Sequence, residues 1–138
     1  MTNEELVKIA YEAQKLSYSP YSDFQVGAAL LTKSGKVYMG CNIENAAFSP
    51  TNCAERTAFF KAISEGERDF TAIAVVGNKK DAPEETWEFC SPCGVCRQVM
   101  LEFVKPEEFV IVLGCGKELK TFTLRELLPE SFSPEMVN

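Results

Sequence analysis

The 138-residue chain contains no histidine. That absence removes the Ser-His-Asp and Cys-His nucleophile schemes and every metal site that needs an imidazole. The chain also lacks a basic excess. Its 14 Lys and Arg stand against 20 Asp and Glu, a formal net charge of −6. Gripping a phosphate backbone rests on many Lys and Arg contacts, so nucleic acid is not an expected partner. Long apolar runs are missing too. The largest, such as Phe70 to Val76, reach about seven residues against the roughly 18 of a membrane span. The opening Met1-Thr2-Asn3-Glu4-Glu5 is acidic and has no apolar stretch behind it, so no secretory signal is expected. Cysteine, at six in 138 residues, is too sparse for a disulfide scaffold. The expected compartment is the reducing cytoplasm, where a cysteine cluster reads as metal-binding or redox-active. Chemistry on this chain therefore falls to carboxylate, thiolate or metal.

What is present describes an ordinary globular chain, 46% apolar and 25% charged. Its length suits one domain over residues 1–138. Leu6, Ile9, Ala10, Ala13 and Leu16 recur at helical spacing and predict a helix from about residue 4 to about 17. Phe24 to Thr32 and Val37 to Ile43 read as a hairpin around Lys33-Ser34-Gly35-Lys36. A second helix follows Asn52, with Gly66 as its stop. Phe70 to Val76 reads as a strand buried on both faces, and Gly77 to Glu88 as a polar surface excursion. Ser91-Pro92 opens a third helix, with Val95, Val99, Met100 and Phe103 on one face and Lys105-Pro106 as its end. Phe109 to Leu113 and Leu119 to Phe122 suggest a closing hairpin. Thr123 and Glu126 form a capping box for a last short helix.

Two segments carry chemistry: Thr51-Asn52-Cys53-Ala54-Glu55-Arg56 and Cys90-Ser91-Pro92-Cys93-Gly94-Val95-Cys96-Arg97. Both sit at expected helix N-termini, where the helix dipole favours thiolate over thiol. Cys93 and Cys96, three residues apart, share a helix face and can reach one ion. Cys53 makes a third ligand, and three thiolates leave the fourth tetrahedral position of a zinc ion open for chemistry. Glu55, two residues after Cys53, can exchange protons with water activated there.

This pairing resembles the signature of zinc-dependent deaminases. Together with Phe24-Gln25-Val26-Gly27-Ala28-Ala29 and Gly40-Cys41-Asn42-Ile43-Glu44-Asn45-Ala46, it resembles the small homotetrameric cytidine deaminases over nearly the whole chain. The resemblance implies a three-layer α/β/α sandwich on a five-stranded mixed sheet. It implies hydrolytic deamination of cytidine and 2′-deoxycytidine, one zinc per subunit, and a homotetramer. By the same resemblance Cys53, Cys93 and Cys96 hold zinc and Glu55 shuttles protons. Asn42 and Glu44 hold the ribose 3′-hydroxyl, Phe24 packs on the substrate, and the backbone of Ala54 and Glu55 meets the base. Phe132 is expected to reach a neighbouring subunit's site. Arg56 is expected to donate to the thiolates, because Zn²⁺ with three thiolates sums to −1 and is a weak Lewis acid unless charge is withdrawn. The acidic stretch Lys79 to Glu88 looks like an insertion.

Other readings stand beside this one. Cys90 could complete a four-cysteine structural zinc site, Cys93 and Cys96 could be a redox pair, and all could be buried packing residues. Cys41 and Cys115 are read as packing residues. Another aminopyrimidine nucleoside, such as a nucleoside antibiotic, is the alternative substrate, and a non-catalytic zinc or redox module the alternative class.

Overall fold

Thr2 starts the first helix: its hydroxyl accepts from the Glu5 amide at 3.1 Å, and Glu4 and Glu5 lie on the positive end. In the computed structural model, which describes every residue from Met1 to Asn138, this helix, α1, spans Asn3–Gln14. It ends short of the expected residue 17. Leu16 N–H bonds to Ala13 O at 3.0 Å and Ser17 N–H to Gln14 O at 3.1 Å, and Leu16 is exposed rather than part of the buried stripe. The chain departs there because Tyr18 is drawn into a bridge with Ile43.

Five strands follow: β1 (Phe24–Thr32), β2 (Val37–Cys41), β3 (Phe70–Lys79), β4 (Val110–Cys115) and β5 (Glu118–Thr123). They lie in the order β2-β1-β3-β4-β5, with only β3 and β4 parallel. Three further helices are α2 (Ala54–Ser64), α3 (Gly94–Phe103) and the short α4 (Leu124–Leu127), which carries the expected capping box. α1 covers one face of the sheet, burying Leu6, Val7 and Ala10 against Ala29, Ala74, Val76 and Val112. On the other face Ala58, Phe59, Met100 and Leu124 pack on Ala28, Leu30, Ile73, Val75 and Ile111. This is the expected three-layer α/β/α arrangement on a five-stranded mixed sheet. Glycine lets the layers touch: a Cβ on Gly27 would collide with the α1 backbone at Ala10 and Gln14.

Other boundaries differ from the sequence reading as well. β2 stops at Cys41, not Ile43, because Asn42 turns its side chain inward and bonds to β1. β3 runs on through Gly77 to Lys79, since β1 begins early enough to pair Phe24 with Lys79. α3 begins at Gly94 with Cys93, not Ser91, as its cap, and Val95 is exposed. The excursion beyond β3 is not wholly at the surface either. Trp87 stacks on Tyr11 with ring centroids 5.7 Å apart and donates from Nε1 to Ala82 O at 2.9 Å.

Candidate metal centre and catalytic site

β2 and β3 both run antiparallel to β1, so their carboxyl ends lie at the same end of the sheet. The chain leaves each of them toward a helix, and the N-termini of α2 and α3 meet there. Ligand sites of α/β sheets favour this end. Gly40 makes the approach of α2 possible: a Cβ there would collide with Ala54 O and lie 2.6 Å from Ala58 N. The loop between β2 and α2 is closed by a two-way bridge, each amide of Ile43 and Asn52 bonding to the other's carbonyl at 2.9 Å. That closure delivers Cys53 to the start of α2.

Cys53 and Cys93 are the N-caps of their helices, and Cys96 lies one turn into α3. Their three sulfurs lie within 4.8 Å of one another, with Cys53 and Cys93 Sγ 3.8 Å apart. All six cysteines are unpaired. The pKa of the Cys53 thiol is held well below its ordinary value, chiefly by a hydrogen bond from the Cys96 thiol, with Arg56 adding to it against the opposing effect of burial. Cys96, as the donor in that pair, is held high. Arg56 Nη2 lies 3.3 Å from Cys53 Sγ, while its buried Nε finds no partner.

The donor set fits zinc. Zinc–sulfur bonds of about 2.3 Å place two sulfurs of a tetrahedron about 3.8 Å apart, the spacing found between Cys53 and Cys93. Soft thiolates select such an ion, and a chain without histidine offers no imidazole in their place. Cys90 lies outside the cluster; the Cβ of any residue at Gly77 would stand 2.8 Å from its Sγ. Burial pushes the Cys90 thiol up to about 11. Three ligands, rather than four, converge.

Glu55 is only 4% exposed. Burial raises its carboxyl to about 7, and the neighbouring Cys53 pushes in the same direction. Loss of water disfavours its charged form.

Asn42 and Glu44 lie at the same end of the sheet, each already engaged by the fold. Asn42 Oδ1 accepts from Val26 N–H at 2.9 Å and from the Ser17 hydroxyl, and its Nδ2 donates to Phe24 O at 2.8 Å. Glu44 accepts from the amides of Tyr21 and Ser22 at 3.0 and 3.2 Å and from the Ser22 hydroxyl, which holds its carboxyl below the usual range. Phe24 is half-buried at the head of β1, with its ring edge over Gly77 near Cys90. Phe132 is 62% exposed, and its carbonyl accepts from Gln98 Nε2 at 2.8 Å. The sequence reading missed Ser17 and Ser22. Neither stands in a recognisable pattern, and each meets its partner across more than 20 residues of chain.

Residues 1–113 match a family described as the cytidine and deoxycytidylate deaminase zinc-binding region. The chain is 48% identical over 139 residues to a cytidine deaminase of Halalkalibacterium halodurans, covering all of this chain and 99% of that one. It is 47% identical to a cytidine deaminase of Sporosarcina psychrophila, covering 98% and 94% of the two chains. Among solved structures, a cytidine deaminase from Burkholderia pseudomallei superposes with a TM-score of 0.84 at 45% identity, covering 96% of this chain and all of that one.

Proposed function

The chain belongs to the cytidine and deoxycytidylate deaminase zinc-binding family, and from that premise we propose that it hydrolyses the 4-amino group of free cytidine and 2′-deoxycytidine. The products are ammonia and the uracil nucleoside. The observation that carries this reading is a three-sulfur cluster beside a buried carboxylate balanced near neutrality, Glu55.

Cys53, Cys93 and Cys96 would hold the zinc, which when bound would supply Lewis-acid activation of water. Glu55 takes one proton from the attacking water and delivers it to N3 of the pyrimidine, then takes the remaining proton of the added hydroxyl and delivers it to the departing amine. Water adds at C4, the bond from C4 to the exocyclic nitrogen breaks, and the nitrogen leaves as ammonia. Arg56 draws charge from Cys53 through its 3.3 Å contact, which keeps the thiolate set from quenching the metal. The backbone of Ala54 and Glu55 meets the base, and Phe24 packs on it.

The sugar follows from donor and acceptor bookkeeping. An amide has two acceptor sites and two donors; Asn42 has used both acceptor sites and one donor. A carboxylate has about four acceptor sites, of which Glu44 has used three. One donor and one acceptor remain, what a single 3′-hydroxyl requires. The test is zinc stoichiometry on purified protein beside the fall in ultraviolet absorbance on mixing with cytidine. One zinc per chain with turnover is expected. A zinc-loaded protein inert toward cytidine would leave only a metal-binding module.

One catalytic domain spans residues 1–138 and assembles as a cytoplasmic homotetramer, with Phe132 reaching a neighbouring subunit's site. Exposed Tyr18, Tyr21, Ile43 and Phe48 near the site support burial by another subunit. No helix is long and apolar enough to cross a membrane. Light scattering reads the subunit number.

A further inference from the structure

Of the three cysteines Cys93 is the most exposed, and beside Cys53 Sγ at 3.8 Å its sulfur meets only the Cys96 N–H, at 3.5 Å. Cys96 is buried within α3, and Cys53 has Arg56 at 3.3 Å. Cys93 is exposed and is followed by Gly94, where even a Cβ would meet nothing within 4 Å. A metal ligand so placed needs its backbone fixed from elsewhere.

Arg97 supplies that support. Its backbone N–H bonds to Cys93 O at 3.0 Å, and its side-chain Nε donates to Pro92 O at 2.8 Å. Those two carbonyls belong to the peptide groups on either side of Cys93; the first bond is the helical one that any residue at this position makes, and the Arg97 side chain adds the second. The other end of the guanidinium, Nη1, donates to Leu127 O at 2.7 Å, at the end of α4. Ion pairs in this chain use Lys15, Lys36 and Arg125, so Arg97 spends its charge on carbonyls rather than on a carboxylate. A rigid fork with diverging donors can reach two carbonyls at once, whereas a lysine ammonium is a single point.

We propose that Arg97 is a positioning residue of the metal centre: it clamps the Pro92–Cys93 turn to the end of α4 and so sets where Cys93 Sγ stands. The inference rests on the zinc reading of the three cysteines. Its acceptors are backbone atoms, so the effect reaches the metal only through the placing of Cys93.

The test follows the release of zinc to a coloured chelator from purified wild-type protein and from the variants Arg97→Ala, Arg97→Lys and Arg125→Ala. Arg125 is the control. It binds Glu107 and Ser131 beside the same C-terminal segment but does not touch the Cys93 turn. Arg97→Ala is expected to release zinc at least about 10-fold faster than wild type. Arg97→Lys is expected to fall between them, and Arg125→Ala to match wild type even if its melting temperature drops. With zinc loaded, kcat of Arg97→Ala is expected to fall while KM for cytidine holds, because the clamp touches no part of the substrate. Release from Arg97→Ala as slow as from wild type would overturn the proposal, and so would equally fast release from Arg125→Ala. Should Arg97→Ala fail to fold, equal release from Arg97→Lys and wild type would overturn it. A wild-type protein that binds no zinc sinks the zinc reading itself, whereas tight binding in wild type with unchanged release in the variants sinks only the clamp.

Discussion

Glu55 is a buried carboxylate with no lysine or arginine in ion-pair contact, and burial, helped by the neighbouring Cys53, takes it toward neutrality. Glu55→Gln keeps the shape and removes the proton exchange. Zinc content and fold are expected to persist while cytidine turnover falls by about 10²–10⁴ or more, read as the loss of the absorbance change. Asn42 carries a different expectation. Its amide satisfies Val26 N–H and Phe24 O, so it holds the head of β1 in addition to the sugar role proposed for it. Asn42→Ala strands those groups and is expected to cost about 1–3 kcal/mol of stability, seen as a lower urea midpoint, alongside weaker cytidine turnover. An unchanged midpoint would show that water replaces the amide there. At this scale the cysteines and Glu55 were legible because their types and spacing are rare together. The structural half of Asn42 was not: it depends on Ser17 and β1 arriving from a distant part of the chain, which no local pattern records.

Elements position these residues through their ends. α2 and α3 both begin with a cysteine cap at the carboxyl end of the sheet, and that shared end, more than any single contact, creates the cluster. Cys90 precedes α3 and packs toward Gly77 instead. Cys90→Ser is therefore expected to leave one zinc bound and activity intact, whereas Cys93→Ser or Cys96→Ser releases the metal. Metal analysis of the three variants checks this, and equal loss in all three would point to a four-cysteine site. Helix and strand types were legible from periodicity, but the ends were not. The sequence places the start of α3 at Ser91-Pro92, a good capping pair, yet Cys93 takes the cap, its sulfur accepting from Cys96 N–H at 3.5 Å. α1 stops early for a comparable reason: a bridge between Tyr18 and Ile43 outweighs the apolar spacing that would carry the helix on to Leu16. In both cases a contact made across the fold decides where the element stops.

For the whole molecule the question is which cytosine it admits. The net charge of −6 opposes the approach of a polynucleotide. The sheet order was legible only as a mixed five-stranded sheet; the pairing of β1 with β3 along its full length, which brings Phe24 beside Gly77 and Cys90, comes from long-range register. Asn42 bonds to Phe24 O and Val26 N–H at the head of β1, and Glu44 follows two residues later; on the proposed reading the two hold the sugar. In a free nucleoside the 3′-oxygen carries a hydrogen for the remaining acceptor site of Glu44 and a lone pair for the remaining N–H of Asn42. In an internal nucleotide the same oxygen is esterified. The hydrogen is gone, and a phosphate anion stands beside a carboxylate that the Ser22 hydroxyl and the amides of Tyr21 and Ser22 hold in its charged form. The lost hydrogen bond to a charged group is worth roughly 1.5–3 kcal/mol, and the repulsion adds to it. The bare base offers no sugar at all, which leaves Asn42 and Glu44 facing water. Cytidine is therefore expected to be turned over at least about 10-fold more efficiently than cytosine, from the smaller of those energies. A single-stranded oligonucleotide is expected to be inert at the same cytosine concentration. Release of ammonia measured on the three substrates side by side decides it: robust deamination of the oligonucleotide by the wild-type protein would mean that Asn42 and Glu44 do not read the 3′-hydroxyl.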